Sequence, residues 1–429
     1  MLSLVLFGTM LLLFALGVPV PFSLGLAAVA AVLLMPGVTL EVIVQRMFYG
    51  LHSFLILAAP LFLLLGELME SAQITDRLVE FARVLFGRLR GGLGHVAVAT
   101  NMLMAGISGS GTADAAATGV VLVPSMTKSG YTVPLSAALV AASATIGPII
   151  PPSIIMVIYA SISMVSIARM FLGGLIPGII MGACLMIINS IMARRLNVPR
   201  GDRATVSQVV KATKGAALVL LTPIIVVVGI VAGMFTATES AGIACIYALV
   251  LGLLVYRSVT LDTLPSIFAR AALTSGKVMF VVATASAFSW ILTRGGVPTQ
   301  IAHLPFFSDP SKPWLILLAL NIILLILGCL MESLAILLVI TPIILPIALN
   351  AGIDPVHLGV VMSVNLSIGL ATPPFGTSMF VLCGISKCSI LDYSREVLPF
   401  VAALIVALLL TTYFPSLVLF LPDLIMGPS

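Results

Sequence analysis

Apolar residues along this chain run in blocks of membrane-spanning length, separated by short polar or Gly/Pro-rich joints, and do not alternate with a strand period. In the first half the blocks fall at Leu2 to Gly17, Phe22 to Leu34, Phe54 to Leu68, Leu135 to Ala160 and Ile167 to Met192. In the second half they fall at Ala216 to Gly233, Ser240 to Tyr256, Val278 to Leu292, His357 to Ile385 and Val397 to Leu421. Each half thus carries about five predicted spanning helices. Two further apolar stretches, His95 to Lys128 and Trp314 to about Leu349, are interrupted in the middle. Each predicts a re-entrant pair of half-helices that enters and leaves the bilayer on one side. Around the first interruption, Gly106 to Gly119 (GISGSGTADAAATG) contains four glycines, two serines, two threonines and one aspartate. At bilayer depth such backbone is tolerated only inside protein or against a water-filled cavity, so this stretch predicts a binding site.

The pattern recurs weakly at one spacing. Gly130, Gly147, Pro151 and Pro152 map 222 positions later onto Gly352, Gly369, Pro373 and Pro374, and Pro124 maps onto Pro346. An odd number of spans per half turns the second copy upside down, which is an inverted-topology repeat. The expected organisation is a first repeat over residues 1–193 with its hairpin near 95–128, a basic cytoplasmic linker over 194–215, and a second repeat over 216–429 with its hairpin near 314–349. The predicted fold class is therefore an all-α polytopic membrane protein.

Composition agrees, since 61% hydrophobic and 8% charged residues in 429 positions exceed the usage of any soluble domain. The five cysteines show neither disulfide nor metal spacing and are expected to be small apolar packing residues. The start MLSLVLFG has no basic n-region or small-residue cleavage site, so it predicts a retained first helix. Basic residues collect in cytoplasmic loops. With both termini on the periplasmic side, sixteen of the twenty Lys and Arg fall inside, and only Arg46, Arg169, Arg294 and Lys312 fall outside. The inside set includes Arg77, Arg83, Arg88 and Arg90 on an amphipathic arm and the run from Arg194 to Lys214. These are topology signals and headgroup contacts, so the net charge of +5 requires no nucleic-acid partner.

The hairpin tips are expected to converge near the midplane beside two broken helices, Ala144 to Ser153 (ATIGPIIPPS) and Gly369 to Gly376 (GLATPPFG). Proline donates no backbone hydrogen bond, so Pro151 and Pro373 free carbonyls upstream. Hard monovalent cations take such oxygens as ligands, and Na+ is the first choice. One cation site is expected from Ser108 and Ser110 with carbonyls around Gly147 and Pro148, and the other from the Gly328 region with Gly369, Thr372 and Phe375. A solute site between them would use Ser108, Ser110, Thr372, Pro373 and, at the periplasmic mouth, Arg294, whose guanidinium suits a carboxylate. Any one of these serines is equally explained as small-residue helix packing, and Arg294 as a snorkelling interfacial arginine. Asp114 and Glu332 are second-tier candidates: each follows a hairpin tip, where it would favour a bound cation or simply face a helix dipole. Glu67, Glu70 and Glu239 sit at predicted span ends and read as interfacial or partner-contacting, and the four histidines are isolated.

No Walker loop or HExxH motif occurs, and GISGSG lacks the strand-turn-helix setting of a hydrolase elbow, so no enzyme is predicted. The succession GISGSGTADAAATG, GPIIPPS, TESAG at Thr238 to Gly242, MESLAILLVITPIILP and NLSIGLATPPFGT resembles the large membrane subunit of TRAP (tripartite ATP-independent periplasmic) transporters over essentially the whole chain. The resemblance implies sodium-driven import across the bacterial inner membrane by an elevator-type moving domain. It also implies two partners: a small four-helix membrane subunit, expected here as a separate polypeptide, and a periplasmic substrate-binding protein. The implied solute is an organic acid such as sialic acid or a four-carbon dicarboxylate, with sialic acid favoured. The rival readings are a stand-alone inverted-repeat anion symporter and a channel-like component without sodium coupling.

Overall fold

A computed structural model describes residues 2–53, 55–72, 74–201, 203–304, 306–307 and 309–428. Phe54, where the third span is expected to begin, lies outside the described residues. The described residues form α-helices: α1 (Leu2–Ala15), α2 (Val20–Val32), α3 (Glu41–Leu51), α4 (Ala58–Ser71) and α5 (Ile74–Phe86), then α6 (Gly92–Ser108), α7 (Gly111–Lys128), α8 (Val133–Ala144), α9 (Ile154–Ser163) and α10 (Ile167–Arg195). The remainder are α11 (Val206–Val231), α12 (Ala237–Val250), α13 (Leu264–Arg294), α14 (Val297–Ala302), α15 (Pro313–Gly328), α16 (Ser333–Asn350), α17 (Pro355–Gly369), α18 (Thr377–Ser386), α19 (Ile390–Tyr413) and α20 (Ser416–Met426). Among the described residues six helical segments are long and apolar enough to cross a membrane, and eight shorter ones are apolar. This is a polytopic all-helical membrane protein.

The run from α6 to α10 reappears from α15 to α19 with matching lengths, 17, 18, 12, 10 and 29 residues against 16, 18, 15, 10 and 24. Its punctuation matches as well. Gly130 and Gly352, at φ of 103° and 72°, make the turns before α8 and α17, a conformation that glycine adopts without a Cβ penalty. Thr132 caps α8 and Asp354 caps α17, each side chain accepting backbone N–H groups of the first turn. Ser166 and Ser389 do the same for α10 and α19. α8 packs on α6 and α7 as α17 packs on α15 and α16, and α18 lies against α7 and α8. Around this duplicated unit, α13 packs on α2, α3, α4 and α16, while α4 packs on α6, α9 and α12.

Several boundaries differ from those expected. The run Val397 to Leu421 is two helices, α19 and α20, because Pro415 drives Phe414 out of the helical region (φ −121°, ψ 78°). The linker is partly helical, since a capping box between Thr205 and Gln208 starts α11 within residues 194–215. α13 extends well upstream of Val278, and Glu41–Leu51, where no span was expected, forms an amphipathic helix.

Buried polar pairs tie each hairpin to its neighbouring broken helix. Asn101 of α6 donates from Nδ2 to Ser143 Oγ of α8 at 2.7 Å, and Thr118 of α7 donates to Asn101 Oδ1 at 3.3 Å. In the second unit Asn365 of α17 donates to Asn321 Oδ1 of α15 at 2.9 Å and to Asn321 O at 3.0 Å, and Asn321 donates to Thr412 of α19 at 2.9 Å. With apolar surroundings a buried amide left unpaired is costly, so each pair fixes the register between its helices.

Candidate functional site

The first hairpin turns at Gly109, whose φ of 61° ends α6. A methyl group placed on Gly109 would lie 2.6 Å from Pro152 O, so only a bare backbone lets the tip seat itself in the α8–α9 break. Ser108 Oγ donates to Asp114 Oδ1 at 2.6 Å and accepts from the Ser110 N–H at 3.2 Å. Ser110 is the first residue of the returning arm, its hydroxyl 3.3 Å from that of Thr112. Asp114 is wholly buried, and its Oδ2 has no hydrogen-bond partner among the described residues. That oxygen faces the bare backbone of Gly147: a methyl there would lie 2.5 Å from Asp114 Oδ2 and 3.1 Å from both Ala144 O and Gly111 N. Ser108, Ser110, Asp114 and Gly147 therefore share one oxygen-rich locus. Asp114 does not cap α7; it holds the tip through Ser108. The carbonyl of Pro148, expected as a free ligand, already accepts the Ser153 hydroxyl.

The second hairpin ends at Gly328 and seats against the last residue of α17. A methyl on Gly369 would collide with the carbonyl group and Cα of Gly328, so the two backbones are in direct van der Waals contact. Ser333 donates to Leu366 O at 3.1 Å, and Thr372 Oγ1 donates to Ile368 O at 2.7 Å, leaving the threonine lone pairs turned away from its own helix. Gly376 closes the break tightly, a methyl there lying 2.6 Å from Leu370 O. Pro151–Pro152 and Pro373–Pro374 are cis. Phe375 is 57% exposed, so only its backbone belongs to this break. Glu332 precedes α16 without capping it and is exposed, within electrostatic reach of Lys277 on α13.

The two loci are neighbours. A methyl on Gly111 would lie 2.9 Å from Leu370 Cδ1, and Ser378 Oγ approaches Gly111 O at 3.5 Å. Arg294 stands apart from them, exposed at the end of α13 with its guanidinium 5.4 Å from the Trp290 ring. Arg46 stacks on the same ring at 5.0 Å and lines a cavity of about 530 Å³ between α3, α9, α13 and α16.

Three groups escaped the sequence reading. The Asn pairs carry no spacing signal that distinguishes them from ordinary polar residues in a helix. Asn365 Oδ1 is buried with no partner among the described residues, next to the second locus in the chain. Glu67 and Glu70 of α4, expected at an interface, line a cavity of about 270 Å³ with Ser108, Ser110 and Asp114. The groups gathered at the two loci are carbonyl, hydroxyl and carboxylate oxygens, whose chemistry is ligation.

The sequence profile described as tripartite ATP-independent periplasmic transporter, DctM component, matches residues 7–417. The chain is 39% identical over 421 residues to the sialic acid TRAP transporter large permease protein SiaM of Vibrio cholerae, covering 98% of each. It is 37% identical to the C4-dicarboxylate TRAP transporter large permease protein DctM of Pseudomonas aeruginosa, covering 94% of each. In fold it is similar to the YdaH transporter of Alcanivorax borkumensis, with a TM-score of 0.61 at 14% identity over 90% of this chain and 89% of the other. The matched relatives are transport permeases rather than enzymes, and the match spans both hairpins and both breaks: this chain belongs to the DctM-component family, the large permease subunits of the TRAP transporters.

Proposed function

We propose that this chain is the membrane subunit through which a sodium gradient drives import of an organic acid across the bacterial inner membrane, with both termini on the periplasmic side. The observation that carries the reading is the buried, partnerless Asp114 Oδ2 beside the bare backbone of Gly147. Such an oxygen is costly without a compensating positive charge, and a dehydrated sodium ion supplies one. Ser108, Ser110 and Gly147 complete the first cation locus, and Gly328, Gly369, Thr372 and the Phe375 backbone the second. The names of relatives support a solute of the sialic acid or four-carbon dicarboxylate type. In this reading a periplasmic binding protein delivers it to a complex that includes a small four-helix subunit.

The doubled α6–α10 and α15–α19 units support an inverted repeat over residues 1–193 and 216–429 joined by the basic segment 194–215. In this reading sodium orders the two tips, the solute carboxylate binds between them near Thr372 and Pro373, and the duplicated unit slides as an elevator past α4 and α13. Arg294 acts at the periplasmic mouth. Uptake by the complex reconstituted in liposomes, with and without a sodium gradient and with and without binding protein, tests this. Ser108→Ala and Thr372→Ala are each expected to raise the half-saturating sodium concentration severalfold at unchanged expression. Unchanged sodium dependence in both refutes the assignment, and uptake without any binding protein points to a stand-alone symporter.

A further inference from the structure

The cavity of about 270 Å³ under the first hairpin tip is lined on one side by Ser108, Ser110 and Asp114, and on the other by Glu67 and Glu70 of α4 with Thr274 of α13. Among the described residues no basic side chain lines it. The guanidinium that touches its rim, Arg270, donates from Nε to Glu67 Oε2 at 2.9 Å and from Nη2 to Ser71 Oγ at 3.2 Å. Among the described residues neither Glu70 nor Asp114 forms an ion pair. Three carboxylates thus line one cavity whose neighbouring guanidinium is bound to Glu67, and the innermost of them carries the buried oxygen that has no partner among the described residues. Among the described residues the three do not form a metal-chelating group. Ile74 of α5 also lines the cavity, and Arg77 and Arg83 of that helix mark the cytoplasmic face in the topology proposed above.

We infer that Glu67 and Glu70 form a cation vestibule on the cytoplasmic side, through which hydrated sodium passes between the cytoplasm and the locus at Ser108 and Asp114. This rests on the sodium reading above and adds to it a route and a side. Acidic walls of low dielectric concentrate counter-ions at the mouth of a cleft, raising their local concentration and exchange rate. The carboxylates belong to α4 and the receiving oxygens to the hairpin, so the vestibule meets the site only while these two elements are juxtaposed.

The test is solute counterflow by the full complex in liposomes of defined orientation, with sodium varied on one face at a time and potassium as the control cation. In the Glu67→Gln/Glu70→Gln double variant the half-saturating sodium concentration at the cytoplasmic face is expected to rise about three- to tenfold, while that at the periplasmic face stays as in the wild type. The Glu67→Asp/Glu70→Asp pair is expected to restore the wild-type value. Glu70→Gln alone breaks no ion pair; it is expected to move the same value in the same direction by about twofold, and it carries the test if the double variant does not assemble. An equal change on both faces, or none on either, overturns the vestibule while leaving the sodium locus standing. A wild-type complex indifferent to sodium on both faces overturns both.

Discussion

Asp114→Asn separates a cation ligand from a structural residue, because it keeps the shape of the side chain and removes only its charge. Ser108 Oγ still finds an acceptor at the position of Oδ1, now 2.6 Å away. The partnerless Oδ2 position becomes an amide N–H that can donate toward the Ala144 carbonyl, which borders the same space at Gly147. In sodium-free buffer the variant is therefore expected to be as stable as the wild type or more so, by about 1 kcal/mol for one added hydrogen bond. In sodium the order reverses. Unit charges about 4 Å apart at an effective dielectric constant of about 20 interact by roughly 4 kcal/mol, so sodium affinity falls by about two to three decades. A ligand at a hundred times its Kd stabilises the state it binds by about 2.7 kcal/mol, and that gain disappears in the variant. The assay is thermal unfolding of the purified protein in sodium chloride and in potassium chloride at equal ionic strength. A sodium-induced rise in Tm of wild-type size in the variant, or a Tm lowered equally in both salts, refutes the role given to this carboxylate.

Three further substitutions address the second unit. Gly369→Ala forces a methyl into the Gly328 carbonyl and is expected to cost about 1–3 kcal/mol and to weaken sodium dependence. Gly384→Ala, on α18 with nothing within 4 Å, is expected to be neutral or stabilising by up to about 1 kcal/mol in the same unfolding assay. Asn365→Ala removes two hydrogen bonds and strands Asn321 Oδ1, an expected loss of about 1–3 kcal/mol, read as a lower Tm in both salts rather than a lost sodium shift.

Much of the fold was legible along the chain because its causes are local. A spanning helix needs an uninterrupted apolar length, and a break inside one needs glycine or proline, so the hairpin turn at Gly109 and the interruptions after Ala144 and Gly369 fall where GISGSG, GPIIPPS and GLATPPFG foretold. Pro415, which splits the last run into α19 and α20, lies inside an apolar block, so hydrophobic length alone does not reveal that break. Phe375 and Glu332 show the limit of such reading, since a residue in the right stretch can still point its side chain outward.

By itself, then, the sequence determined the class, the helical segments and the two interrupted stretches, all of which follow from hydrophobic length and backbone chemistry within a few neighbouring residues. Only the tertiary structure decided which oxygens meet. It brought Gly147 to Asp114, seated Gly328 on Gly369, paired Asn101 with Ser143 and Asn321 with Asn365, and set Glu67 and Glu70 of α4 beneath the tip at Ser108. These partners lie tens of positions apart, on helices whose relative rotation is set by side-chain packing, and no periodicity along one helix records what another helix presents to it.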